Sequence, residues 1–226
     1  RRLADANQEA NPLLQRLALK LATGAGKTTV MAMLIAWQTI NAVRRPGSKQ
    51  FTRGFLVVTP GLTIRDRLRV LLPSDPENYY RQRDLLPPDL FDRLGQAAIV
   101  ITNYHAFLLR ERGDAARLTK SILTKGETNP FTETPDQMVR RVCRDLSGKK
   151  QIIVLNDEAH HCYRPKPSED VVEGLSGDDR TEAKKRDEEA RVWISGLEAV
   201  HNKLGLRAVY DLSATPFFLG GSGYAE

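Results

Sequence analysis

Leu21-Ala22-Thr23-Gly24-Ala25-Gly26-Lys27-Thr28-Thr29 lies directly between an apolar run and a helix-forming stretch. Glycines in such a turn let backbone N–H groups approach an anion closely, and the N-terminus of the following helix adds a positive dipole. The ligand chemistry this points to is a phosphate chain, cradled by Thr23, Gly24, Ala25, Gly26, Lys27, Thr28 and Thr29. Lys27 would reach the terminal phosphates and Thr28 would offer its hydroxyl to Mg²⁺. The strict spacing of a phosphate loop asks for glycine at position 21, where this chain has Leu21, but the phosphate-facing residues are intact.

A second group stands 130 positions later, where Ile152-Ile153-Val154-Leu155-Asn156 runs into Asp157-Glu158-Ala159-His160. In a parallel strand the C-terminal end faces the ligand crevice, so both carboxylates are expected to emerge beside the phosphate turn of a neighbouring strand. Asp157 can hold Mg²⁺, partly through water, because this ion keeps several of its waters. Glu158 can orient or deprotonate the water that attacks a terminal phosphate. The third piece is Ser213-Ala214-Thr215-Pro216, where the hydroxyls of Ser213 and Thr215 at a strand end can hydrogen-bond toward the carboxylates and relay their state, or simply form a turn. His160-His161-Cys162 is a poor zinc site, since adjacent residues do not converge on one tetrahedral ion and no second pair stands at zinc-like spacing.

These groups need a scaffold that brings distant strand ends together. Apolar and β-branched runs at Leu17 to Ala22, Phe55 to Thr59, Ala98 to Thr102, Gln151 to Asn156 and Leu206 to Leu212 are separated by helix-length segments. That rhythm is the signature of buried parallel strands joined by crossover helices, so an open, mostly parallel α/β sheet with helices on both faces is expected. Helices are expected over Lys27 to Val43, Leu62 to Leu72, Leu85 to Leu94, His105 to Glu111, Pro135 to Leu146 and Glu182 to His201. Four prolines between Leu72 and Gly95 point to surface loops around a short edge strand at Tyr79-Tyr80. Residues 164–190 read as a charged insertion, solvent-facing as loop and helix. Trp37, Trp193 and the tyrosine pair are expected to pack rather than to stack on bases.

The whole chain of 226 residues suits one domain, and its 41% hydrophobic residues exclude a wholly disordered chain. A net charge of +6 permits an acidic partner without naming one. Cys143 and Cys162 make no disulfide framework, and no run approaches the roughly 20 apolar residues of a membrane span, so a cytoplasmic protein is expected. Opening on Arg1-Arg2 with no leader pattern, the chain reads as a fragment of a longer one. Thr59, Pro60 and Gly61 after one strand, and Thr102 and Asn103 after another, can hold a nucleic-acid backbone through hydroxyls and N–H groups; both threonines can equally be helix caps. Arg65, Arg67 and Arg69 are spread around the following helix and read as solvated.

In this order the motifs resemble the DEAD/DEAH-box superfamily 2 helicases and translocases. Ala22 to Thr29 resembles motif I, Val57 to Gly61 motif Ia, Val100 to His105 motif Ib, Asp157 to His160 motif II and Ser213 to Thr215 motif III. The wording Ala-Thr-Gly-Ala-Gly-Lys-Thr-Thr, Asn-Asp-Glu-Ala-His-His-Cys-Tyr and Thr-Asn-Tyr-His-Ala-Phe is most similar to the restriction subunits of type III restriction enzymes. The resemblance implies a single N-terminal RecA-like P-loop NTPase domain over 1–226, ATP with Mg²⁺, and His160 coupling the nucleotide site to motif III. It further implies a second RecA-like domain of the same chain, without which hydrolysis is poor, and a modification (methyltransferase) subunit as partner. The implied activity is a DNA helicase or translocase on double-stranded DNA. An RNA helicase of the same superfamily, or a nucleotide-dependent nucleic-acid-binding module without turnover, are the alternatives.

Overall fold

In the computed structural model, which describes residues 5, 7, 14–111, 132–162 and 177–214, each of the five apolar runs forms a strand. They are β1 (Arg16–Lys20), β2 (Gly54–Thr59), β3 (Ala98–Asn103), β4 (Ile152–Asp157) and β5 (Leu206–Ser213). All pairings are parallel, in the order β1-β5-β4-β2-β3. Every residue of β2 and β4 is buried, because central strands of a parallel sheet are covered on both faces. Alternation along β4 decides the layers. Ile152 and Val154 face one apolar core, and Ile153 and Leu155 face the other.

Helix α1 (Lys27–Arg44) covers the second face and buries Met31, Ala32, Ile35, Ala36 and Ile40, a stripe at helical spacing. Along the same side run α2 (Leu62–Arg67), α3 (Tyr79–Gln82) and α4 (Phe91–Leu94). The first face is closed by α5 (Pro135–Val142) and α6 (Gly177–Leu204). α5 starts on a capping box between Thr134 and Gln137 with Pro135 in the first turn. α6 stops at Gly205, whose φ of 74° lets its N–H return to the His201 carbonyl at 2.8 Å.

Several helices are shorter than their sequence pattern. The expected edge strand at Tyr79-Tyr80 is instead α3: the Asn78 side chain accepts the Arg81 N–H at 3.1 Å, and the buried Tyr80 hydroxyl donates to the Leu71 carbonyl at 2.8 Å. Helix 85–94 is reduced to a 3-10 turn at Pro88–Leu90 followed by α4, because a residue before proline is pushed out of the helical region. Helix 62–72 tightens into 3-10 form at Leu68–Leu71. The segment after β3 makes only a 3-10 turn, Tyr104–Phe107, and its outgoing carbonyls are held by the Arg141 guanidinium, to Ala106 at 3.0 Å and Leu108 at 3.1 Å. α6 begins at Gly177, so the charged stretch divides into helix from that residue on and residues 163–176, which lie outside the described part. Trp193 is fully buried as expected, but Trp37 is 54% exposed, edge-on to Phe51 at 5.5 Å.

α6 approaches the turn after β3 closely because position 196 has no side chain. A Cβ there would lie 2.3 Å from the buried Phe107 ring. Gly196→Ala is expected to destabilise: overpacking a core costs about 1–3 kcal/mol, only partly offset by the roughly 1 kcal/mol that alanine returns in a helix. Denaturant unfolding reads this as a lowered midpoint, and an unchanged or raised midpoint would contradict the packing.

Candidate active site

The expected site residues that are described lie at the C-terminal ends of the strands or in the segments that follow them, Lys27 to Thr29 in the first turn of α1. β1 leads into the glycine turn, where the Leu21 N–H donates to the Ser213 carbonyl at 3.0 Å and so ties the loop to the end of β5. Gly24 and Gly26 take φ of 79° and 88°. Around Gly24 there is open space, so it is the backbone angle that demands glycine. Gly26 is the N-cap of α1 and no side chain caps the helix, leaving the first-turn N–H groups directed at the exposed loop of Thr23, Gly24 and Ala25. The buried hydroxyl oxygen of Thr29 has no hydrogen-bond partner among the described residues. An orphaned hydroxyl beside a left-handed glycine turn fits a phosphate chain, which brings several acceptor oxygens.

Asp157 ends β4 and is 7% exposed. Burial pushes its carboxyl pKa above the usual range, the adjacent Glu158 charge adds to this, and Lys27 opposes it. Glu158 follows in the left-handed region at φ 48°, a strained angle for a non-glycine residue. The sharp turn brings its carboxylate back onto the Lys27 ammonium as an ion pair. β4 does not neighbour β1, as had been expected; β5 lies between them, and Lys27 and Glu158 reach across its end. His160 continues the line. Its Nδ1 lies 3.5 Å from Glu158 Oε2 and 3.0 Å from Ser213 Oγ, the latter a hydrogen bond whose donor depends on the ring tautomer. Burial first, then His161, holds the imidazole pKa below its ordinary value, so the ring is neutral at neutral pH. Lys27 thus pairs with Glu158 and His160 bonds Ser213, the two pairs approaching to 3.5 Å between Glu158 Oε2 and His160 Nδ1. Thr215 lies outside the described residues.

Oxygen donors from Thr28 and Asp157 suit a hard divalent cation such as Mg²⁺. Among the described residues no three His, Cys, Asp or Glu side chains cluster as metal ligands. Cys162 turns inward to accept from Arg16 at 3.2 Å, away from the histidines.

The two backbone-holding segments stand side by side, since Thr59 and Asn103 are register partners. Neither threonine caps a helix. Thr59 is fully buried and its hydroxyl donates to the Gly61 carbonyl at 2.9 Å, bracing the turn through Pro60; Gly61 itself is the N-cap of α2. Thr102 donates to the Asn103 carbonyl at 3.3 Å, and Asn103 caps the following turn by accepting the Ala106 N–H at 3.2 Å. Arg65 and Arg67 are exposed on α2 and Arg69 on the 3-10 turn after it, Arg65 paired with Asp66 at 3.2 Å.

Beneath the site lies a buried polar cluster absent from the sequence reading. Arg16 of β1 pairs with Asp211 of β5 at 2.7 Å, Asn156 of β4 donates to Asp211 at 2.6 Å, and the Trp193 indole donates to Asn156 at 3.1 Å. The available signal was an acidic residue, Asp211, within the apolar run of β5 and a basic one, Arg16, at the start of β1.

The family model of the type III restriction enzyme res subunit matches residues 3–218. The chain belongs to this family. Its five-stranded parallel sheet with flanking helices is the RecA-like P-loop NTPase domain of helicase superfamily 2. No curated protein and no solved structure matches the chain. Membership in the res subunit family implies a helicase-type ATPase that binds nucleotide with a divalent metal and interacts with nucleic acid. Among the described residues no helix is long and apolar enough to cross a membrane.

Proposed function

We propose that this chain is the first RecA-like unit of an ATP-driven motor that moves along double-stranded DNA, acting in the cytoplasm with a second such unit and a modification subunit. The observation that supports the reading is the convergence of Lys27, Glu158, His160 and Ser213, which brings the phosphate loop, the end of β4 and the end of β5 within one site.

In this reading the N–H groups of residues 24–29 and the Lys27 ammonium hold the phosphates. Glu158 orients a water and accepts its proton as the oxygen bonds to the terminal phosphorus and the bond to the bridging oxygen breaks, giving ADP and phosphate. Thr28 and Asp157 would hold Mg²⁺, which when bound neutralises charge on the phosphate oxygens. His160 and Ser213 sense whether Glu158 faces Lys27 or the reacting phosphate, and carry that state to the segment after β5. Pro60 and Gly61, with Thr102 and Asn103, supply a shelf for the DNA backbone without reading sequence, and the buried Thr59 braces it from beneath.

Lys27→Ala in the full-length protein is expected to weaken ATP·Mg binding about 10–100-fold, the scale of a hydrogen bond to a charged group. Titration calorimetry measures this, and an unchanged affinity would contradict the assignment.

A further inference from the structure

We propose that the face of α6 carrying Glu189 and Trp193 couples the DNA-backbone shelf after β3 to the ATP site through Asn156, transmitting DNA binding without itself holding the catalytic carboxylates. The inference rests on the motor reading above and adds the route by which DNA binding accelerates hydrolysis.

Tyr104 directly follows Asn103. Its ring stacks on Trp193, centroids 5.4 Å apart and planes within 8°, and burial followed by the neighbouring Glu189 carboxylate pushes the Tyr104 hydroxyl pKa up. One turn further along α6, Phe107 lies against Gly196. The shelf segment is therefore seated on one helix face by three contacts at helical spacing. Glu189 and Trp193 also meet the motif after β4. The Trp193 indole N–H donates to Asn156 Oδ1 at 3.1 Å, and the Glu189 carboxylate lies 3.9 Å from His161 Nδ1. Asn156 immediately precedes Asp157, and its amide N–H donates to Asp211, two residues before Ser213.

Packing alone does not call for these polar atoms. A buried amide and a buried indole N–H each cost free energy unless they find partners, and here each is satisfied by a residue of a different functional segment. Displacing residues 103–107 moves the Tyr104 ring on Trp193. Close packing leaves Trp193 no slack, so the movement reaches the Asn156 side chain and the strand end that bears Asp157 and Glu158.

The test is ATP hydrolysis by the full-length protein with and without double-stranded DNA. Trp193→Phe keeps a ring to stack on Tyr104 and removes the N–H. Glu189→Ala, at a residue only partly buried, removes the carboxylate that faces both Tyr104 and His161 and serves should the first variant not fold. Each is expected to lower the DNA-stimulated kcat about tenfold, the scale of one net hydrogen bond, while the DNA-free rate and the KM for ATP stay within about twofold. Parallel loss of both rates would assign these residues to the fold alone and overturn the inference. A stimulated wild type with unaltered variants would overturn the inference and leave the motor reading standing. A wild type indifferent to both DNA and RNA would overturn both.

Discussion

Glu158→Gln in the full-length protein is expected to bind ATP·Mg as the parent does while its turnover falls by about 10²–10⁴, the range supplied by a positioned general base. Glutamine has nearly the same shape and can keep an oxygen on Lys27, so the loop that holds the phosphates is undisturbed. What it lacks is the capacity to take a proton. Burial, the larger cause of the raised Asp157 pKa, is unchanged by the substitution, and only the smaller contribution of the Glu158 charge is removed. Calorimetry paired with single-turnover hydrolysis separates the two effects. A loss of affinity as large as that of Lys27→Ala would show that Glu158 holds nucleotide instead of activating water.

The second large effect is expected on stability. Arg16→Met leaves the Asp211 carboxylate, whose side chain is fully buried, without its cationic partner. Breaking a buried pair from one side costs about 3–5 kcal/mol, a large share of the roughly 5–15 kcal/mol that holds a typical domain together. In a protein of this size that corresponds to a fall in Tm of about 6–20 °C. Arg16→Met combined with Asp211→Asn is expected to regain much of the loss, because the second change removes the stranded charge while Asn156 keeps a partner. Thermal unfolding of both variants measures this. Equal destabilisation by the single and double variants would mean that the charge was not the cost.

The strands were legible to within one or two residues because a parallel sheet leaves nearly continuous apolar runs, as in Ile152 to Leu155 and Phe55 to Val58. The phosphate loop and the Asp157-Glu158 pair were legible because their chemistry is local in sequence. The helix ends were less so: Asn78, Pro87 and the Arg141 clamp end or shorten segments through caps and long-range bonds that a periodic pattern does not carry. The buried cluster was not seen because its meaning lies in pairing across the sheet. Arg16 and Asp211 are 195 positions apart and become partners only when β5 inserts between β1 and β4. Asn156 and Trp193 likewise read as a strand end and a packing residue until the helix is laid over the sheet.

In the proposed function this domain drives a motor which couples ATP hydrolysis to DNA. The most direct measurement is the steady-state rate of ATP hydrolysis by the full-length protein, titrated with double-stranded DNA and, in parallel, with RNA. A saturable rise with DNA that Lys27→Ala and Glu158→Gln both abolish is the predicted result; a rate that ignores DNA, or rises only with RNA, would contradict it.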